Sequence, residues 1–340
     1  MEPIRIGLSG LGRIGRNLFR ILAGREDIQL VAINDAANPN ALAYLLRFDT
    51  IHGRFPEPVV HRDGHVEVGG RRIRLLAAPE PGGAPWGELG VDVVIEEGEP
   101  GRTRSELEKH FEVGARRVIL CVPSAEPAEL TFVRGINDHL LERRHRLISN
   151  GSCIAHAAAP ILQILDTTFG IERVYLTTVH AYTDQQRLAD VPAEDMRSGR
   201  AAAENIIPQH TNAPQLLAEL MPHLAGRIAG TAMNVPVANG SVVDLVCWHS
   251  QPVTVEAVNA AVAAAAAEPR WQGFLLYETE PIVSSDVLRS SYSSNFDSLA
   301  TMVLAGRVSK TLSWFDNGWG YAHRVVELIE RFRDLDREAA

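Results

Sequence analysis

Cys153 closes the segment Ser149-Asn150-Gly151-Ser152-Cys153 and directly precedes Ile154-Ala155-His156-Ala157-Ala158-Ala159, a run of helix formers. A cysteine at that junction begins a helix, where the partial positive charge of the helix end stabilises a thiolate and turns a weak nucleophile into an effective one. The other two cysteines, Cys121 and Cys247, have no such setting and are expected to be small buried apolar residues. With no Cys-x-x-Cys pair, the chain suggests neither a disulfide framework nor a thiolate metal site, so no metal is expected and a reducing cytoplasm fits best.

A second chemical feature lies near the N-terminus, where Gly10-Leu11-Gly12-Arg13-Ile14-Gly15 separates a strand-like run from a helix-like one. Asp35 follows Gly15 by 20 residues, at the end of the next strand-like run. Gly10, Gly12 and Gly15 in this context let the chain turn tightly and approach a pyrophosphate, whose charge rests on the helix N-terminus. An acidic side chain at the end of the second strand accepts hydrogen bonds from the adenosine ribose hydroxyls and repels a 2′-phosphate, so NAD is expected rather than NADP. The cofactor residues expected are Gly10, Gly12, Arg13, Ile14 and Gly15, with Asn34 and Asp35.

The elements that must position these groups alternate. Residues 4–8, 28–33, 91–95 and 118–122 read as strands, with helices over 17–22, 41–48 and 105–111; such alternation predicts a mostly parallel sheet with helices on its faces. Residues 56–74, with turns at Asp63-Gly64 and Gly69-Gly70, predict antiparallel hairpin strands inserted in that sheet. Beyond Gly151 the strands lengthen, at 173–180 and 241–249, with helices over 155–165, 213–220 and 255–267, and a final amphipathic helix runs over 321–332. The fold class expected is α/β: a doubly wound nucleotide-binding domain of residues 1–151 with 316–340, and an α+β catalytic domain with a mixed sheet over 152–315. The active site is expected in the crevice between them.

Composition narrows the function classes. The 340 residues are 46% hydrophobic and carry a formal charge of −9, which suits a two-domain protein and opposes a nucleic-acid surface or polybasic membrane anchor. No signal-peptide layout opens the chain, and no run is long and apolar enough for a membrane span.

Taken in order, several motifs resemble the glyceraldehyde-3-phosphate dehydrogenase family, including its erythrose-4-phosphate dehydrogenase branch, over essentially the whole chain. They are Gly7 through Arg16, Asn34-Asp35, Phe48-Asp49-Thr50-Ile51-His52-Gly53, Ser149 through Cys153, Thr178-Val179-His180-Ala181-Tyr182-Thr183, Arg200-Ala201-Ala202-Ala203, Asn205-Ile206-Ile207-Pro208 and Trp314 through Tyr321. The resemblance implies that Cys153 attacks an aldehyde, that His180 is the base, and that Asn317, with Tyr321 close by, holds the nicotinamide end of NAD. It also implies a homotetramer, with the loop around residues 188–200 near a neighbouring subunit's cofactor. Ser152, His156, Thr183, Arg200, Thr211 and Asn234 are the substrate-binding residues it points to.

The sequence departs from the family's pattern where anions would bind. Ile154, Ala155 and His156 stand where Thr-Thr-Asn is usual, and Asn234 and Ser198 align with two phosphate-binding arginines. Asn212 replaces a glycine, Gly318 a glutamate, and Glu97-Gly98-Glu99 the usual Cys-Thr-Gly. Losing two arginines predicts a loss of about 2 to 5 kcal/mol of phosphate affinity. Three readings follow. One is an active aldehyde dehydrogenase whose thioester goes to water and whose substrate's distal group is neutral, differently charged, or bound by Arg200 or Arg227. Another is a phosphorylating glyceraldehyde-3-phosphate or erythrose-4-phosphate dehydrogenase, and the third is a non-catalytic NAD-binding homologue. His156 is either a contact for an unfamiliar substrate or a polar residue filling space on its helix.

Overall fold

The computed structural model describes residues 2–338. The chain divides into two compact units: one takes in the chain up to Phe132, Asn137–Gly151 and the chain from Ala322 onward, the other Val133–Ile136 and Ser152–Tyr321. The short piece Val133–Ile136 belongs with the second unit because Gly135 packs against Trp271 and Phe274, so closely that a Cβ on it would stand 2.8 Å from the Trp271 ring.

The first unit begins β1 (Ile4–Ser9), α1 (Arg13–Leu22), β2 (Ile28–Asn34) and α2 (Pro39–Arg47). The helix α2 starts two residues earlier than its apolar spacing suggests, because the Asn38 side chain accepts from the Asn40 and Ala41 N–H groups and Pro39 suits a first helical turn. A two-stranded ladder follows, β3 (Phe48–Asp49) and β4 (Gly53–Arg54), then β5 (Val60–Arg62), β6 (His65–Val68) and β7 (Arg71–Leu76). The unit continues through β8 (Val93–Glu96), α3 (Arg104–Glu112), β9 (Arg117–Leu120), β10 (Leu130–Thr131) and β11 (Leu147–Ser149).

Nine strands form one sheet in the order β10-β11-β9-β8-β1-β2-β7-β6-β5. All pairs from β10 to β7 are parallel, and β6 and β5 run antiparallel. The hairpin strands therefore extend one edge rather than interrupting the parallel core. Their half-exposed residues explain this: β6 and β7 alternate polar or charged positions with buried apolar ones, whereas β8 is buried throughout. The chain leaves β1 toward β2 on one side and returns to β8 on the other, so the loops after β1 and β8 face each other at a reversal of strand order. Open α/β sheets bind ligands at such a point.

The second unit holds α4 (Cys153–Phe169), β12 (Ile171–Ala181), β13 (Ile207–Gln209), α5 (Ala213–Leu220), β14 (Ile228–Val235), β15 (Ser241–His249), α6 (Val255–Ala266), β16 (Leu275–Glu278), β17 (Ser294–Asp297), β18 (Met302–Leu304) and β19 (Val308–Phe315). Its mixed sheet runs β13-β14-β12-β15-β19-β17-β16, with β18 against β19. The helix α4 is apolar on nearly every face and lies in the core with Leu176, Leu245, Phe296 and Phe315. It continues through Pro160 to Phe169, longer than its spacing suggests, and Gly170 ends it at φ +63°. The last helix, α7 (Trp319–Arg337), begins where the Asp316 carboxylate accepts from the Gly318 and Trp319 N–H groups.

Candidate active site

In the first unit a cavity of about 790 Å³ opens at the strand reversal. Its walls include Gly10–Gly12, Asn34–Ala36, Ala78–Pro81 and the segment Glu97–Arg102. Gly10 turns at φ +98°, a left-handed conformation that costs glycine nothing. The Asp35 carboxylate accepts from the Leu11 N–H at 2.9 Å and the Ala37 N–H at 2.8 Å, which fixes it at the mouth of the glycine turn. Asn34 points elsewhere: its amide exchanges two hydrogen bonds with the Ala78 backbone, so it holds a wall of the cavity in place.

The helix α1 has no cap from its own Gly12. Its first-turn N–H groups are satisfied instead by Glu97: Ile14 N donates to Oε1 at 2.6 Å and Gly15 N to Oε2 at 2.5 Å. Burial pushes this carboxyl up to about 7, against the opposing pull of those backbone donors and of Arg16. Glu97 is aimed by its neighbour Glu96, which is fully buried and accepts from His110 Nε2 at 2.9 Å and Gly98 N at 2.8 Å. Trp86 Nε1 donates to His110 Nδ1 at 2.9 Å, leaving Nε2 as the nitrogen that donates to Glu96.

In the second unit Cys153 is the first residue of α4, and the Ser152 hydroxyl caps that helix by accepting from Ala155 N at 3.1 Å. Ser152 therefore acts on the helix start that carries the thiol. Cys153 Sγ lies 3.8 Å from His180 Nε2. His180 Nδ1 donates to the Ala181 carbonyl at 2.6 Å, so Nε2 is the unprotonated nitrogen of the neutral ring and faces the thiol as an acceptor. Phe315, from the end of β19, stands edge-on to the imidazole with centroids 6.3 Å apart. Cys247 is buried and its thiol is pushed up to about 12 by desolvation, which keeps it inert.

Ser241 completes this arrangement, although its sequence context did not mark it. Its hydroxyl accepts from Ala181 N at 3.0 Å and donates to Asn317 Oδ1 at 3.3 Å. The Ala181 backbone is thus held on both sides, by His180 at its oxygen and Ser241 at its nitrogen, and the Ser241 hydroxyl also holds the Asn317 amide oxygen. Gly240, at φ +85°, makes the turn into Ser241; a Cβ there would stand 2.0 Å from the Ser284 carbonyl oxygen. The only signal for Ser241 is its register at the start of β15, visible once β12 and β15 pair.

Asn234 is buried on β14, directly opposite His180 on β12 and Ile207 on β13. Ser198 donates to Asp195 Oδ2 at 2.5 Å and accepts from Gln209 Nε2 at 2.9 Å. Thr183 donates to Gln186 Oε1, and the Thr211 hydroxyl accepts from Ala213 N beside α5. Two of the cations considered from sequence do not stand in for arginine at Asn234. Arg200 is exposed and paired with Asp190 at 3.1 Å. Arg227 precedes the opposite end of β14, about 20 Å along the strand from Asn234 at the usual rise per residue. His156 is buried, its ring edge-on to that of Tyr321 with centroids 6.1 Å apart. The two rings pack on one another.

Among the described residues, no group of three or more His, Cys, Asp or Glu is placed to hold a metal ion, and no helix is long and apolar enough to cross a membrane.

Comparison with known proteins agrees with this geometry. Residues 4–106 match the family model described as glyceraldehyde 3-phosphate dehydrogenase, NAD binding domain, and residues 152–317 that of the C-terminal domain. The chain is 45% identical over 326 residues to a glyceraldehyde-3-phosphate dehydrogenase of Geobacillus stearothermophilus, covering 96% of this chain and 97% of the relative. It is 44% identical to glyceraldehyde-3-phosphate dehydrogenase 2 of Streptomyces avermitilis, over 96% and 97%, and 42% identical to the Mycobacterium avium enzyme, over the same shares. A glycine turn and Asp35 at a strand reversal, a cysteine opening a helix beside a histidine, and likeness over nearly the full length converge on one assignment: the chain belongs to the glyceraldehyde-3-phosphate dehydrogenase family of NAD-dependent oxidoreductases.

Proposed function

We propose that this protein oxidises an aldehyde with NAD through a covalent intermediate on Cys153, and that the distal group of that aldehyde is polar without being a phosphate. The observation that carries the chemistry is the 3.8 Å approach of Cys153 Sγ to the acceptor nitrogen of His180. His180 Nε2 takes the thiol proton, and the sulfur adds to the carbonyl carbon to give a thiohemiacetal. That proton goes first to the new alkoxide oxygen as its hydroxyl, and His180, neutral again, removes it as the carbonyl re-forms. NAD, when bound, accepts the C–H hydrogen with its electron pair. The product is a thioester on Cys153, and attack by water breaks its C–S bond, releasing a carboxylic acid and restoring the thiol. Asn317, held by Ser241, is the residue proposed to orient the nicotinamide amide.

The distal preference rests on charge. Asn234 and Ser198 are neutral, and the Asp195 carboxylate hydrogen-bonded to Ser198 opposes an incoming dianion. Arg200 is committed to Asp190. The competing reading is phosphate-dependent oxidation of glyceraldehyde 3-phosphate, favoured by the names of relatives at 41 to 45% identity. NADH formation with and without inorganic phosphate, across phosphorylated and unphosphorylated aldehydes, separates the two. Expected are phosphate-independent turnover and a higher kcat/KM for unphosphorylated polar aldehydes. Installing Ser198→Arg with Asn234→Arg is expected to raise kcat/KM for a phosphorylated aldehyde by about 100-fold. Strict dependence on phosphate would establish the competing reading, and no NADH with any aldehyde would indicate a non-catalytic protein.

We also propose a homotetramer. Leu188, Met196, Ile206, Met302 and Leu304 are more than half exposed on the single chain, an apolar surface that subunit contacts would cover. Light scattering should then return four times the 37.2 kDa chain mass, and a monomer would refute it.

A further inference from the structure

We propose that Glu97 is a built-in competitor of the cofactor's pyrophosphate: its carboxylate fills the anion site at the first turn of α1 and must leave when NAD binds. Both carboxylate oxygens accept from the N–H groups of Ile14 and Gly15, the same donors that a helix N-terminus offers to a phosphate. The fit is close on the glycine side as well. A Cβ on Gly12 would stand 2.8 Å from Glu97 Oε1, and one on Gly15 2.7 Å from Oε2, so the space that the glycines leave open is taken by this side chain. Glu97 and a pyrophosphate cannot share it.

The topology explains why a residue 82 positions from Gly15 can do this. Glu97 is the first residue after β8, whose neighbour β1 ends at the glycine turn, and Glu97 N donates to the Ser9 carbonyl at 2.8 Å. Glu96, anchored by His110, holds the strand end so that the next side chain is directed at α1. The adjoining cavity offers the displaced side chain a route to water. NAD binding therefore includes the work of removing a carboxylate from two backbone donors and a helix dipole.

Protonation strengthens the competitor. The charged groups around Glu97 are Arg16 of α1, itself 3.8 Å from Asp49; Asp35 at the end of β2; Glu96 with His110 of α3; and Arg102, 3.8 Å from Glu96. Only Arg16 among them favours the ionised form directly, and burial prevails, so the carboxyl titrates near 7. The sign follows from the raised value: below that pH the protonated side chain, which burial favours, holds the site and NAD affinity falls; above it the carboxylate gains by leaving for water and affinity rises.

This inference rests on NAD binding by the family's N-terminal domain and not on the identity of the aldehyde, so affinity is the readout rather than turnover. NAD would be titrated calorimetrically into wild type, Glu97→Ser and Glu97→Gln, with adenosine as a ligand lacking the pyrophosphate, at about pH 6 and about pH 8.5, on either side of the carboxyl's titration. Glu97→Ser is expected to bind NAD about 10-fold tighter than wild type at the lower pH, with the gap narrowing at the higher, while adenosine binds all three alike. Wild type should release protons on binding NAD at the lower pH, seen as a dependence of the heat on the buffer's ionisation enthalpy, and the variants should not. If the serine variant loosens α1, Glu97→Gln keeps the length and one acceptor without a titrating proton, and its NAD affinity should not change between the two pH values. Equal or weaker NAD affinity in folded Glu97→Ser at the lower pH, a pH-dependent NAD affinity in Glu97→Gln like that of wild type, or an equal gain for adenosine would overturn the proposal.

Discussion

Cys153→Ala is expected to lower NADH formation about 10,000-fold or more while leaving NAD affinity and thermal unfolding close to wild type. The effect is large because the thiol is bonded to the substrate throughout the proposed route, and no neighbour can replace it. Cys247 is buried and holds its proton firmly, and Cys121 lies beyond the end of β9 in the other unit. The stability effect is small because Cys153 is only half-buried and Ser152, not the thiol, caps α4. Mass spectrometry of wild type quenched during turnover should show the acyl group on the peptide containing Cys153, and Cys121→Ser should keep both adduct and activity. Residual turnover by Cys153→Ala above about one part in a hundred would exclude covalent catalysis at this residue.

The second large effect is expected at His180. His180→Asn should reduce kcat by about 100- to 10,000-fold, the range usual for losing a positioned general base. The geometry makes a further demand that separates a base from a packing residue. Because Nδ1 is committed to the Ala181 carbonyl, Nε2 is the atom that accepts the Cys153 proton, so removing the ring should also slow alkylation of Cys153 by iodoacetamide near neutral pH. NAD affinity should be unchanged. If turnover fell while the alkylation rate held, His180 would act on the substrate proton alone, and the 3.8 Å contact with sulfur would be incidental.

Much of this was legible without coordinates, and the reason is local. Gly10 through Gly15 and Asp35 declare their chemistry because a strand, a tight turn and a helix N-terminus are short-range features with strict residue demands. Ser152-Cys153 before an alanine-rich run announces a capped helix for the same reason. Boundaries were less legible where the deciding group lay outside the periodic pattern, as with Asn38 before α2 and Asp316 before α7.

What the residues alone determined is local: a dinucleotide turn before α1 and a cysteine at the start of α4. Tertiary structure decided which groups act together. His180 faces Cys153 because β12 runs beside the start of α4, and Ser241 joins them because β15 pairs with β12. Arg227 is excluded by strand register, since it and Asn234 lie at opposite ends of β14. Glu97 is the clearest case: in sequence it is one of three departures in a loop, and only the meeting of the β1 and β8 ends puts its carboxylate on the backbone of α1. Contacts between residues 82 apart depend on sheet order, which no local pattern encodes.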